Sequence, residues 1–82
     1  MNTERIKNLA MNDNGFIFDP SSGYSYSANE LGIYILRLLH EGQSKEAIIA
    51  AIATEYEATP DNISSDIDHY FLMLESLDLL EL

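Results

Sequence analysis

Between residues 16 and 39 the chain carries a pattern that few folds can accommodate: a β-prone run, a turn, an alternating run and then, with no linker, a helical stripe. Phe16, Ile17 and Phe18 favour a strand. Asp19, Pro20, Ser21, Ser22 and Gly23 are turn chemistry, since proline fixes its own φ and glycine is free to take a positive one. Tyr24, Ser25, Tyr26 and Ser27 alternate, which puts both rings on one face of a strand and both hydroxyls on the other. Asn29 then stands at an N-cap position, and Leu31, Tyr34, Ile35, Leu38 and Leu39 recur at helical spacing. A hairpin that runs directly into an amphipathic helix predicts a sheet with helices laid over it.

The flanking segments extend this frame. Residues 1–5 read as a loose start, and Ile6 to Met11 as a short first strand. Asn12-Asp13-Asn14-Gly15 suits a tight hairpin turn. Three antiparallel strands joined by turns at 12–15 and 19–23 follow. The first long helix is expected from Glu30 to Glu41, stopping at Gly42. Ser44 caps a second, with Ala47, Ile48, Ala51, Ile52 and Tyr56 on its apolar side. Thr59-Pro60-Asp61 starts a third, combining a cap hydroxyl, proline in the first turn and an acid near the positive helix end. Its stripe is Ile63, Ile67, Tyr70, Phe71, Met73, Leu74 and Leu77. The tail, residues 77–82, reads either as a last helical turn or as a short extended piece. The fold class is therefore α+β, winged helix-turn-helix-like: a three-stranded antiparallel sheet followed by three α-helices, in one domain spanning 1–82.

Composition narrows the function. Fourteen acidic residues against four basic ones give a formal charge of −10, a field that repels phosphate backbones and anionic lipid headgroups. A DNA-reading helix needs Arg, Lys, Asn or Gln facing a groove, and the third helix has no Lys or Arg. Nucleic acid and membrane are both excluded as expected partners. There is no cysteine, hence no disulfide framework, thiolate metal site or cysteine nucleophile. The start of the sequence lacks the basic-then-apolar pattern of a signal peptide, so the cytoplasm is the expected location.

Catalytic patterns are missing as well. His40 and His69 have no metal-ligand spacing between them, and Asp66, Asp68 and His69 fit a solvated helix face better than a metal or acid/base cluster. No serine sits in a nucleophile elbow and no glycine-rich loop could cradle phosphate. The expectation is a protein that is not an enzyme and holds no cofactor or metal. What remains is a surface for another polypeptide. If Tyr24–Ser27 forms the sheet edge, its unpaired N–H and C=O groups are a template for an added strand, or for a second copy of the chain, so a monomer or weak homodimer is expected. The competing reading leaves the edge self-capped and the chain a winged-helix scaffold or regulatory module that binds a partner protein through its third helix.

The order of motifs favours the first. An Asp-Pro hairpin turn, a Tyr-containing strand, Asn29-Glu30, Gly32, Leu38-Leu39, Gly42, Ile48, Glu55-Tyr56, Asp66-Ile67, Tyr70-Phe71, Leu74 and Leu79-Leu80 together resemble the PqqD family over roughly residues 6–82. That family includes the RiPP recognition elements, small domains that bind the leader region of ribosomally made precursor peptides. The resemblance implies a non-catalytic peptide chaperone whose leader peptide adds as a strand beside Tyr24, Ser25, Tyr26 and Ser27. The peptide would lie in a groove faced by Asp66, Tyr70 and Met73 of the third helix, over a floor of Ile63 and Leu74. The partners it implies are the precursor peptide and a peptide-modifying enzyme, often a radical-SAM protein. With Asp66 in the groove, a leader carrying Lys or Arg near its docking segment is expected to bind faster and tighter at low salt. The sequence departs from the family pattern at Asp78, where glycine is common, and at Ala28, where a larger apolar residue is.

Overall fold

Two short strands flank the 19–23 turn, the first central in the sheet and the second at its edge. The computed structural model describes residues 1–81. β1 (Ala10–Met11), β2 (Phe16–Phe18) and β3 (Ser25–Ser27) form an antiparallel sheet in the order β1-β2-β3, preceded by a short α1 (Glu4–Lys7). Phe16 lies opposite Ser27, Ile17 opposite Tyr26 and Phe18 opposite Ser25. The alternation sorts the two faces: Ile17 is buried and Tyr26 half-buried against the helices, while Phe16 and Phe18 stay exposed beside the two serines. Helices α2 (Glu30–His40), α3 (Lys45–Tyr56) and α4 (Pro60–Ser76) follow. The expected α+β class, a three-stranded antiparallel sheet followed by three helices, is the observed one.

The caps fall where the residue types demand them. Asn29 accepts a hydrogen bond from the Gly32 N–H at 2.8 Å, and Ser44 accepts one from Ala47 at 3.1 Å. Thr59 starts α4 with Pro60 in the first turn, but its side chain makes no cap bond. α2 ends at His40 and Glu41 caps it, one residue short of the expected end, with Gly42 at positive φ just beyond.

The segment before the sheet departs from expectation. Instead of a strand from Ile6, residues 4–7 form α1, and only Ala10 and Met11 pair with β2. The cause is tertiary. Ile6 and Leu9 are both buried in the core, a three-residue spacing that a helical turn serves and a strand would split onto opposite faces. The Asn2 carboxamide accepts a bond from the Glu4 N–H at 2.9 Å, and Arg5 reaches Asp19 at 2.8 Å. Residues 1–5, expected to be loose, are tied down at two points, because Asn2 also forms a bridge with Glu81. Of the tail, Glu81 takes the extended alternative by pairing with Asn2, and Leu79 and Leu80 are buried in the core; Leu82 lies outside the described residues.

Two turns show why their residues are present. Gly15 takes φ of 87°, and a Cβ there would fall 2.1 Å from the Ala28 carbonyl oxygen, so the β1–β2 turn can touch the start of α2 only with glycine. Asp78 takes φ of 60°, letting the Leu79 N–H donate to the Leu74 carbonyl at 2.9 Å and close α4. Aspartate tolerates that conformation better than most residues, which accounts for its standing where the family pattern has glycine.

The core is mostly branched aliphatics: Ile6, Ile33, Leu36, Leu39, Ile48, Ile52, Ile67 and Phe71 among others. α2 buries Ile33 and Leu36 more completely than Leu31, Tyr34 and Leu38, because α1 and α3 both pack on it and widen its stripe beyond one face. Among the described residues the one buried charge is Asp19, answered by Arg5, by the Ser21 N–H and hydroxyl at 2.9 and 2.8 Å, and by the Ser22 hydroxyl at 3.0 Å.

Candidate functional site

The exposed edge of β3 offers main-chain groups at defined positions. The Asp19 N–H donates to the Tyr24 carbonyl at 2.9 Å, and the Ala28 N–H to the Gly15 carbonyl at 2.8 Å. In an antiparallel ladder hydrogen-bonded and non-bonded pairs alternate, so the bonded pair between these two is Tyr26 with Ile17. The N–H and C=O of Ser25 and Ser27 therefore point away from β2. Among the described residues no further strand pairs with that edge.

Beside the edge runs a groove of about 280 Å³. Tyr26, Ser27, Ala28 and Asn29 form one wall; Tyr70 and Met73 of α4 and its C-cap Leu77 form the other, with Ile17, Leu36, Leu74 and Leu79 beneath. Tyr70, Met73 and Leu77 follow one another at i, i+3 and i+7, a continuous strip of one helix face. Met73 is 44% exposed and Leu77 39%, an apolar rim left open to water. Tyr70 is half-buried, and burial pushes its pKa up to about 12, which keeps the hydroxyl a neutral donor. It donates to the Gly32 carbonyl at 3.3 Å. A Cβ on Gly32 would come 2.9 Å from the Tyr70 oxygen, so the missing side chain makes room for the ring's tip.

A second depression, about 340 Å³, lies across Tyr70 between α2, α3 and the first half of α4. Leu31, Ile35, Ile52, Ile63 and Ile67 line it, with Ala58, Tyr56 and Asp66 also in its wall. Tyr70 and Asn29 belong to both depressions. Partial burial, then the carboxylates of Glu30 and Glu55, hold the Tyr56 hydroxyl above its usual pKa.

The residues singled out from the sequence are thus divided. Tyr26, Ser27, Tyr70, Met73 and Leu74 come together in the groove. Ile63 and Asp66 line the second depression instead. Ser25 lines neither and contributes only its outward main chain. Tyr24 belongs to the turn rather than the strand and is 67% exposed, so the two tyrosines do not share a face as alternation alone suggests. Ile63 and Leu74 are both buried and form floor. Sequence reasoning missed Leu77, Asn29 and Leu79 as lining residues. Leu77 is detectable, since it continues the spacing of Tyr70 and Met73; Asn29 carries only the signal of a cap, and the Leu79 contact depends on the turn at Asp78.

The charge of the site is unbalanced. Arg5 pairs with Asp19 at 2.8 Å, Arg37 with Asp13 at 2.7 Å and Lys45 with Asp68, while no lysine or arginine among the described residues pairs with Asp66. His40 and His69 are both exposed, and no group of three or more acids and histidines among the described residues could hold a metal ion.

Three antiparallel strands followed by three helices, with the third strand's outer edge open among the described residues, define a small α+β domain. The sequence matches the family of coenzyme PQQ synthesis protein D (PqqD) over residues 14–80. The chain belongs to the PqqD family, whose members are accessory, non-catalytic binding proteins of PQQ and RiPP biosynthesis that work with peptide-modifying enzymes. No curated protein and no solved structure matches the chain. The family match begins within the β1–β2 turn, leaving α1 and β1 outside it. No helix among the described residues is long and apolar enough to cross a membrane.

Proposed function

We propose that this domain is a non-catalytic chaperone that binds the leader region of a ribosomally synthesised precursor peptide by strand addition on β3 and presents it to a modifying enzyme, of the radical-SAM class in the reading the family suggests. The observation that carries this is the conjunction at one edge: outward main-chain groups at Ser25 and Ser27, directly beside an apolar groove rimmed by Met73 and Leu77. Main-chain pairing gives sequence-tolerant affinity, and the groove supplies selectivity for the side chains that alternate into it. The scaffold alternative calls for an edge that is buried or self-paired, and β3 is neither among the described residues.

The test is an amide-resolved NMR titration of the labelled domain with the synthetic leader of a small precursor encoded nearby. Shifts at Ser25–Ser27 and on the Tyr70–Leu77 face of α4 are expected. Shifts confined to the opposite side of α4, around Leu72, would sink strand addition and favour the scaffold reading.

A further inference from the structure

We infer that the depression across Tyr70 is a second subsite for the same bound peptide, taking a large apolar side chain while Asp66 at its wall takes an adjacent lysine or arginine. This inference rests on the strand-addition reading and specifies the client that reading leaves open. The two depressions are contiguous, since Asn29 and Tyr70 line both. A strand advances ~3.3 Å per residue, so a peptide leaving the β3 edge past Ser27 meets the second depression within a few residues.

Its shape and chemistry select the occupant. At about 340 Å³ it is the roomier of the two, and its floor of Ile35, Ile52 and Ile63 is buried aliphatic surface. An extended segment with one large apolar side chain fills such a space. The wall is acidic at Asp66, which is exposed and unmatched by any lysine or arginine among the described residues. Three of the chain's four basic residues are engaged with Asp13, Asp19 and Asp68, so the domain has little charge of its own to supply here. A lysine or arginine next to the apolar residue lays its aliphatic stem on the wall and sets its charge at Asp66. An acidic residue there meets like charge and is rejected.

The experiment is selection of short random peptides from a display library on the purified domain, on Asp66→Lys and on Ala58→Phe. Both positions are exposed, and thermal melts establish that each variant is folded. On the unaltered domain the enriched peptides place a lysine or arginine at one fixed spacing from a large apolar residue. On Asp66→Lys that position turns to aspartate or glutamate, and on Ala58→Phe the apolar preference disappears while strand-pairing residues persist. A peptide selected on the unaltered domain loses about tenfold in affinity for Asp66→Lys and regains it when its own lysine becomes glutamate. An unchanged consensus on both variants overturns the inference, as does a consensus with helical spacing. Peptides that shift the Ser25–Ser27 amides without any apolar–basic pair overturn the second subsite alone; failure of every peptide to enrich overturns it together with strand addition.

Discussion

The corner around Asp19 and the groove along α4 treat polar groups in opposite ways. Asp19 is buried, and every bond its carboxylate can use comes from Arg5, Ser21 and Ser22 of the same chain. Ser25, Ser27 and Asp66 sit at the surface with main-chain groups or charge unanswered among the described residues. A buried polar group left open costs stability, so the Asp19 network holds the fold. Open groups at the surface beside exposed Met73 and Leu77 cost little until a partner answers them. The contrast separates residues that hold the fold from residues available to a ligand.

Removing the Asp19 carboxylate is the strongest way to break that contrast. Asp19→Ala leaves the Arg5 guanidinium and two serines without their acceptor and frees the 19–23 turn that sets the β2–β3 register. A fall in Tm on the order of 10 °C, or outright unfolding, is expected in a melt followed by circular dichroism. The same network makes a pH prediction. The Arg5 bond, then those from Ser21 and Ser22, hold the Asp19 pKa well below the ordinary carboxylate range. A group whose folded pKa is depressed contributes stability that is complete above its unfolded pKa and is lost as pH falls toward the folded one. The contribution is therefore full above about pH 4 and declines below it. Asp19→Asn should flatten the acid limb of the Tm-versus-pH curve; an unchanged limb would mean that other groups set acid stability.

That corner also marks where sequence reasoning reached its limit. The turn was legible from Pro20 and Gly23, and the helices from their caps and stripes, because those signals are local. Arg5 meeting Asp19 is not local: fourteen residues separate them, and the helix that delivers Arg5 exists because Ile6 and Leu9 have a core to enter. Local signals alone make Ile6–Met11 a strand. Spacing puts Tyr70, Met73 and Leu74 on one apolar helix stripe, and only the family resemblance points that stripe at a groove. Splitting Asp66 and Ile63 from them required knowing that Tyr70 stands as a ridge pinned to Gly32, a contact across thirty-eight positions.

On the groove side the largest effect is expected from the main chain. Ser25→Pro removes an N–H that faces the open edge, whereas Tyr26→Pro removes one that bonds to Ile17 within the sheet. Ser25→Pro should thus abolish leader binding in a calorimetric titration with little change in Tm, and Tyr26→Pro should lower both. Equal stability losses would mean that the register assigns the outward groups wrongly. Tyr70→Ala comes next. Its ring lines both depressions while remaining half-buried, so binding should fall by about 2–3 kcal/mol and stability by about 1–2 kcal/mol. The reverse order would place the ring's main role in the core.

The smallest change asks whether the position of Tyr70, rather than its presence, matters. Gly32→Ala adds one methyl group inside α2, where alanine is favoured over glycine by about 1 kcal/mol. The new Cβ would lie 2.9 Å from the Tyr70 oxygen, 3.0 Å from the Ala28 Cβ and 3.2 Å from Asn29 Oδ1. The tyrosine tip is the movable one of these, and its 3.3 Å bond to the Gly32 carbonyl is long enough to be given up. Helix propensity and the lost contact then offset each other, so stability should stay within about 1 kcal/mol of the parent. Peptide affinity should nevertheless fall several-fold, about 1 kcal/mol, since the ridge between the two depressions has moved. Tyr70→Phe sharpens the result: it loses the same hydrogen bond without the crowding. If Tyr70→Phe binds like the parent and Gly32→Ala does not, ring position rather than the hydrogen bond shapes the groove. If both bind like the parent, the ridge is tolerant and the selectivity resides in Met73, Leu77 and Asp66.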